Sequence, residues 1–432
     1  MNIESILQNF QRLHPKYISL DLERITQLLS DLGDPHLSLP PTIHVAGTNG
    51  KGSTISFLKY ILEESKLKVH TYTSPHLVHF NERIRLNGDV IKNKYLFETL
   101  LEVEKKNQNR EITFFEITTA LAFLIFSRIR ADFLLLEVGL GGRLDATNVL
   151  PKVDASIITL IDYDHEHFLG NNLKNIAVEK SGIIKKNCPV FTFNQKKEVL
   201  EVIIKQAKSL NAPLYILDKN ISRIINKDGS QTINIDKKNY FIPPPSLYGS
   251  HQIDNAALAS SCAIIISQKS KKRNFKCFLG GVSKVKWPGR TQQLFTGKLV
   301  KKIIHEKPRV IILDGAHNKS GSIALSNTLK NLHNGKWLLL FGYLKTRNPE
   351  DFLKIMRRVS DKIITIKIPN QKEAFSEIEL SKIASNIGFN STPAYSINDS
   401  INKIKDIDLP ICICGSLYLV GKILKENETI PS

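Results

Sequence analysis

From His44 to Thr54 the chain reads His44-Val45-Ala46-Gly47-Thr48-Asn49-Gly50-Lys51-Gly52-Ser53-Thr54, setting three glycines, a lysine and three hydroxyls between an apolar run and a helical pattern. Glycines let successive backbone N–H groups converge on an anion. The helix that follows adds the positive end of its dipole, and a lysine can reach the outer oxygens of a polyphosphate. A phosphate-binding loop is therefore expected, with Ser53 or Thr54 offering a hydroxyl to Mg²⁺. Gly52 stands between the lysine and the hydroxyls, so the spacing is not that of the strict Walker motif. An ordinary glycine-rich turn is the alternative, and the coincidence of residue types with a strand-to-helix context argues against it.

Further loops carry titratable groups. Glu137 ends the apolar run Phe133-Leu134-Leu135-Leu136 and leads into Val138-Gly139-Leu140-Gly141-Gly142-Arg143-Leu144-Asp145. A carboxylate leaving a buried strand can hold Mg²⁺, directly or through water, or it can cap or pair; beside a phosphate loop the metal reading leads. Asp162-Tyr163-Asp164-His165-Glu166-His167 gathers carboxylates and imidazoles without the His-Glu-x-x-His spacing of a zinc hydrolase, and reads equally as a metal loop or a solvated acidic one. Lys180, in Val178-Glu179-Lys180-Ser181-Gly182, reads on its own as a surface lysine. Asp314-Gly315-Ala316-His317-Asn318 and Gly415-Ser416-Leu417-Tyr418 each follow an apolar run, where open α/β sheets carry their functional loops; both could also be simple turns.

The elements that must position these residues alternate between short apolar runs and helical patterns, which predicts an α/β fold with parallel strands. Strands are expected at 42–46, 68–73, 133–138 and 155–161, then at 309–313, 337–341, 362–368 and 409–414. Helices are expected at 53–65, 115–128, 173–183 and 252–267. The stretch 187–248 turns polar and strand-prone and ends in Pro243-Pro244-Pro245, which suggests a lobe or insertion. Trp287-Pro288-Gly289-Arg290 closes the first large unit, and a linker is placed between about Gly289 and Lys307.

At 432 residues the chain exceeds the ~250–300 at which single cores stop growing, so more than one domain is expected. With 42% hydrophobic and 23% charged residues it belongs with folded globular proteins. The net charge of +19 suits nucleic acid, a membrane surface or small polyanions, but the basic residues are dispersed and no nucleic-acid motif is present. Five scattered cysteines without CxxC spacing argue against a disulfide framework or zinc site and for a reducing cytoplasm. Glu4, Gln8 and Gln11 interrupt any signal peptide, and Ala120–Phe126, the most apolar stretch, is too short to span a membrane.

Taken in order, these segments resemble the folylpolyglutamate synthase/dihydrofolate synthase branch of the Mur ligase superfamily over nearly the whole length. The resemblance rests on Gly47–Ser53, Thr73-Ser74-Pro75-His76-Leu77, Glu137–Asn148, Asp164-His165 with Leu169-Gly170, Glu179–Ile183, His251-Gln252 with Asn255-Ala256, Trp287–Arg290 and Asp314–Asn318. The segment Ile18-Ser19-Leu20-Asp21-Leu22-Glu23-Arg24 is similar to the bifunctional bacterial type.

The resemblance implies a P-loop-containing, Mur-ligase-like ATPase domain with a mainly parallel sheet over residues 1–295, binding ATP and a pterin. A smaller Rossmann-like α/β domain over 296–432 would serve glutamate ligation, with the nucleotide between the two. It implies ATP contacts from Asn49, Gly50, Lys51, Gly52, Ser53, Thr54, Asn255, Arg290 and Asp314. Ser53, Ser74 and Glu137 would serve one Mg²⁺; Glu137, His165 and a carbamylated Lys180 would serve a second. Lys51, Lys180, His165 and His317 become catalytic candidates. His317 and Ser416 would hold the incoming glutamate, and Leu22, Glu23, Arg24 and Phe115 would lie near the pterin. The implied activity is ATP-dependent ligation of L-glutamate to dihydropteroate and folates through an acyl phosphate. A cytoplasmic monomer is expected, without nucleic-acid or membrane partners. The alternatives are a Mur-type ligase acting on a cell-wall precursor and an ATP-driven binding or switch protein.

Overall fold

The computed structural model describes residues 2–14, 21–163, 170, 172–269, 276–304 and 308–431. The chain divides into two compact units. One comprises Met1–His76, Asn81–Ser246 and Ile253–Val285; the other comprises Leu77–Phe80, Leu247–Gln252 and Lys286–Ser432.

Among the described residues, the first unit is built on an eight-stranded sheet. Its strands are β1 (Thr42–Ala46), β2 (Val69–Tyr72), β3 (Ile84–Leu86), β4 (Asp89–Val90), β5 (Phe133–Glu137), β6 (Ala155–Ile158), β7 (Val190–Phe193) and β8 (Leu214–Leu217). They lie in the order β4-β3-β2-β5-β1-β6-β7-β8, parallel except for the hairpin β3–β4 at one edge. Every residue of β1 and β5 is buried, which explains why the sequence shows apolar runs there rather than alternation: helices cover both faces of a parallel sheet. Helix Phe114–Arg128 starts from a capping box of Thr113 and Glu116 and is buried continuously from Glu116 to Phe126.

The polar stretch after Asn187 is not one lobe. Strands β7 and β8, joined by the amphipathic helix Lys197–Ser209, extend the parallel sheet. Only β9 (Ser222–Ile225), β10 (Gln231–Ile235) and β11 (Lys238–Ile242) stand apart, as a three-stranded antiparallel sheet. Helix Ser250–Lys269 follows.

Among the described residues, the second unit carries a six-stranded sheet of β12 (Gln292–Gln293), β13 (Ile311–Leu313), β14 (Leu338–Phe341), β15 (Lys362–Ile366), β16 (Asn390–Ala394) and β17 (Ile411–Cys414). The order is β12-β13-β17-β14-β15-β16, parallel apart from β12. Apolar clusters fill both faces, around Leu313, Leu340 and Ile413 on one and Trp337, Phe341 and Phe352 on the other. The fold is thus α/β with a large, mainly parallel sheet and a second, smaller α/β unit.

Candidate active site

Adjacent strands β1 and β6 send the chain in opposite directions: helix Lys51–Glu64 returns to β2, whereas helix Leu173–Ser181 runs to β7. Such a divergence opens a crevice at the carboxyl ends of the strands, and the glycine loop lies there. Gly47 has φ +149, and a Cβ on it would come within 1.8 Å of Thr159 Oγ1. Gly50 has φ +90, caps helix Lys51–Glu64, and a Cβ on it would meet Asn255 Oδ1 at 2.6 Å. Both positions therefore demand glycine for space as well as conformation. Thr48 fastens the loop to the exit of β6: its N–H donates to Leu160 O (2.8 Å), its hydroxyl donates to Asp162 O (2.8 Å), and Asp162 N–H donates back to Oγ1 (3.0 Å). Lys51 folds back so that Nζ donates to Gly47 O (3.0 Å) and Thr48 O (3.3 Å). Asn255 Oδ1 also accepts from Thr54 Oγ1 at 3.4 Å, so Asn255 joins the loop although 201 residues separate the pair.

The register β1–β5 pairs Val45 with Glu137, and β2–β5 pairs Tyr72 with Leu136. Glu137 and Ser74 thus leave neighbouring strands together, and Ser74 N–H donates to Glu137 Oε2 (3.0 Å). Ser53 and Glu137 are buried. Hydroxyl and carboxylate oxygens at the mouth of one crevice are the hard donors that Mg²⁺ takes, so Ser53, Ser74 and Glu137 fit that ion.

Lys180 is not the surface lysine that its local sequence suggests. It is 4% exposed, and its Nζ donates to Gly47 O at 3.0 Å. Its helix is drawn in by the Gly142-Arg143 turn. A Cβ on Gly142 would meet Glu179 O at 2.6 Å, Arg143 N–H donates to Glu179 O (2.7 Å), and the Arg143 guanidinium pairs with Glu179 Oε1 (2.9 Å). As an ammonium Lys180 is a donor and does not fit a cation. His165 lies outside the described residues, as do Asp164, Glu166 and His167. Among the described residues no three His, Cys, Asp or Glu side chains form a metal-binding group.

On the expected pterin side, Phe115 is half-buried, stacked on Tyr72 at 6.2 Å between centroids and pressed on Gly139. Leu22 is the N-cap of helix Glu23–Asp31, and Glu23 is exposed. Arg24 pairs with Glu116 at 3.1 Å and with Asp21 at 3.4 Å, so its charge is engaged within the protein.

Sequence reading missed a buried chain beside the loop. Asp145 accepts hydrogen bonds from Leu140 N–H (2.8 Å), Thr147 N–H (3.0 Å) and the Thr147 hydroxyl, and Thr147 Oγ1 lies 2.8 Å from His44 Nε2. Burial pushes the Asp145 carboxyl up, against those hydrogen bonds, and pushes His44 down to about 3. The signal was present in the sequence, an Asp-x-Thr after a glycine-rich turn, but only the fold brings His44 to it.

In the second unit, three loops meet at the carboxyl ends of β13, β17 and β14. Gly415 N–H donates to Ala316 O (3.1 Å) and Tyr343 OH donates to His317 O (2.7 Å). Buried Asp314 accepts from Thr291 N–H (2.7 Å), Thr291 Oγ1 (3.1 Å) and Ala316 N–H (2.8 Å). Arg290 lies beside it: a Cβ on Gly315 would meet Arg290 Nη1 at 2.7 Å. His317 Nδ1 contacts Gly315 O at 2.6 Å, and Ser416 caps helix Leu417–Glu426 through Tyr418 N–H. Arg290, Asp314, His317 and Ser416 are thus gathered on one edge of this sheet.

A phosphate loop at the switch point of a parallel sheet, followed by a separate parallel α/β unit, defines a Mur-type ligase, and the Mur ligase middle domain model matches residues 45–263. This class comprises ATP-dependent carboxylate–amine ligases. The model of the dihydrofolate synthetase C-terminal domain matches residues 298–426. The chain is 34% identical to the dihydrofolate synthase/folylpolyglutamate synthase of Bacillus subtilis, covering 94% of each. It is 31% identical to the dihydrofolate synthetase of Saccharomyces cerevisiae, over 95% of this chain and 99% of that one. The E. coli FolC structure in complex with DHPP and ADP superimposes with a TM-score of 0.84 at 26% identity, covering 98% and 97% of the two chains. The folylpolyglutamate synthase of Thermotoga maritima does so with a TM-score of 0.80 at 32% identity, covering 99% and 97%. The chain belongs to the dihydrofolate synthase/folylpolyglutamate synthase family, and it is an ATP-using ligase.

Proposed function

We propose that this enzyme adds L-glutamate to dihydropteroate and to folates, in two chemical steps at one site. A substrate carboxylate oxygen attacks the γ-phosphorus of ATP, the bond to the β–γ bridging oxygen breaks, and ADP leaves an acyl phosphate. The glutamate amine then attacks the acyl carbon, inorganic phosphate departs with the bonding pair, and the amine loses a proton to give the amide. The observation that carries this reading is Ser74 hydrogen-bonded to Glu137 at the carboxyl ends of adjacent strands, with Ser53 in the first turn of the helix that follows a loop in which Gly47 and Gly50 leave no room for a side chain.

The glycine loop cradles the triphosphate through its backbone, and Lys51 leaves Gly47 O to reach the outer phosphate oxygens. Asn49, Gly50, Gly52, Thr54 and Asn255 complete that cradle, and Arg290 and Asp314 are the remaining nucleotide contacts in this reading. Ser53, Ser74 and Glu137 would hold one Mg²⁺, which when bound neutralises phosphate charge and aligns the transferred group. Glu137 and His165 would serve a second ion together with Lys180, once its ammonium has given up a proton and CO₂ has bonded to the neutral Nζ with loss of a second, leaving a carbamate oxygen donor. Phe115 provides the flat apolar wall a pterin ring requires, with Leu22 and Glu23 nearby. Arg24 supports that wall through Glu116, the residue next to Phe115. His317 and Ser416 receive the glutamate. Residues 1–295 act as the ATP- and pterin-binding domain and 296–432 as the glutamate-ligase domain, in a cytoplasmic monomer that needs no nucleic acid. No helix of the described residues is long and apolar enough to cross a membrane.

The test is phosphate release on mixing the full chain with ATP, Mg²⁺, dihydropteroate and L-glutamate. Release that requires all of them, with a glutamylated product, is expected. Turnover of a nucleotide-linked muramyl substrate, with none on dihydropteroate or tetrahydrofolate, would overturn the assignment.

A further inference from the structure

The three-stranded sheet β9–β11 is latched to the helix that delivers Asn255. Arg223 on β9 is 8% exposed and donates in three directions. Nε and Nη2 bind both oxygens of Asp218 (2.7 Å each), Nη2 also binds Asp254 Oδ1 (2.7 Å), and Nη1 binds Gln231 Oε1 (3.0 Å). Gln231, fully buried on β10, passes the contact on: its Nε2 donates to Ile253 O at 2.8 Å. The β9–β10 turn lies on the same residue, since a Cβ on Gly229 would stand 3.4 Å from Ile253 Cδ1. Farther along the helix, Gln268 donates to Tyr240 OH on β11 (2.8 Å).

Two consecutive residues, Ile253 and Asp254, are therefore gripped from the small sheet, and the next residue is Asn255, whose Oδ1 lies against Gly50 and Thr54. Neighbouring helical residues point about 100° apart, so fixing Asp254 fixes the rotation at which Asn255 meets the phosphate loop. Only arginine can do this from β9, because its planar fork serves two carboxylates and an amide at once.

We propose that Arg223 is a positioning residue for the nucleotide site, acting through Asp254 and Gln231 to aim Asn255 at the phosphate loop. The inference rests on the reading of Asn255 as a nucleotide contact. The small sheet is then part of the ATP site's support.

The test uses the full chain, with ADP titrated into wild type, Arg223→Gln, Arg223→Lys, Asp254→Asn, Asn255→Ala and the double variant Arg223→Gln/Asn255→Ala. The Michaelis constants for ATP and dihydropteroate are followed alongside, with the unfolding midpoint as control. Arg223→Gln should weaken ADP about tenfold and raise the Michaelis constant for ATP by a similar factor, because small misplacements at a phosphate site are costly. The constant for dihydropteroate should not change, Arg223→Lys should recover part of the loss, and the double variant should bind ADP no worse than Asn255→Ala alone. Should Arg223→Gln fold poorly, Asp254→Asn keeps the Arg223–Asp218 pair and tests the same coupling. Unchanged ADP affinity in Arg223→Gln or Asp254→Asn, or an additive loss in the double variant, would overturn the proposal. If Asn255→Ala itself leaves ADP affinity intact, the reading of Asn255 fails and takes this inference with it.

Discussion

Lys51 and Lys180 donate to the same acceptor, the carbonyl oxygen of Gly47, each at 3.0 Å. Two ammonium groups on one oxygen repel each other, and an anion in the loop would compete with that carbonyl for both. A triphosphate in the loop would draw Lys51 off Gly47, and carbamylation would replace the Lys180 ammonium with an anionic carbamate. The shared carbonyl therefore marks the point at which nucleotide and CO₂ would act on one loop.

If Lys180 functions as a carbamate, amide formation in buffer stripped of CO₂ and bicarbonate should fall and return when bicarbonate is added. Lys180→Ala should be inactive and indifferent to bicarbonate. Activity that never responds to bicarbonate removal, measured after long equilibration, rules the carbamate out.

How far the sequence anticipated this loop depends on what each residue needed. Strand β1 is found at the expected 42–46, because a buried parallel strand must be apolar throughout, and the glycine turn that follows is a local signal. Strands β3, β4 and β16 were not anticipated: the first two are only three and two residues long, and β16 is an edge strand that carries Pro393 and buries only Ala394. The burial of Lys180 was illegible for another reason. Nothing local distinguishes it from a solvated lysine; it is inside because Gly142, 38 positions earlier, lacks a side chain.

Glu137→Gln keeps the shape of the side chain but removes the charge that an oxygen-liganded Mg²⁺ requires. The Mg²⁺ concentration for half-maximal activity should rise at least about tenfold, by analogy with losses at other metal sites. ADP binding in the absence of metal should change little. An unaltered Mg²⁺ dependence would show that Glu137 acts through Ser74 N–H alone.

Gly142→Ala places a methyl group 2.6 Å from Glu179 O, a backbone atom that cannot rotate away. Either the turn or helix Leu173–Ser181 must shift. Overpacking of this kind costs about 1–3 kcal/mol, to be read from chemical denaturation. Because the helix carries Lys180, turnover should fall further than stability predicts. Gly280, where an added Cβ meets nothing within 4 Å, is the control: Gly280→Ala should leave turnover intact.

His44 makes stability depend on pH in a window that its environment dictates. Its ring is fully buried, burial with the nearby Lys185 charge lowers its pKa from 6.5 to about 3, and Nδ1 has no hydrogen-bond partner that could take up a proton's charge. Above pH 6.5 folded and unfolded chains both carry a neutral imidazole, and this residue contributes no slope. As pH falls below 6.5 the unfolded chain binds a proton that the folded chain refuses, so stability declines toward about pH 3, by at most about 1.4 kcal/mol per pH unit. His36 and His70 shift in the same direction through burial and steepen the onset. Urea denaturation at pH 7, 6 and 5 should show wild type losing stability faster than His44→Gln, whose glutamine cannot titrate. The variant is expected to be less stable at pH 7, because it disturbs the Thr147–Asp145 chain, and to close part of that gap by pH 5. Parallel losses in the two proteins would mean that His44 already accepts the proton in the folded state.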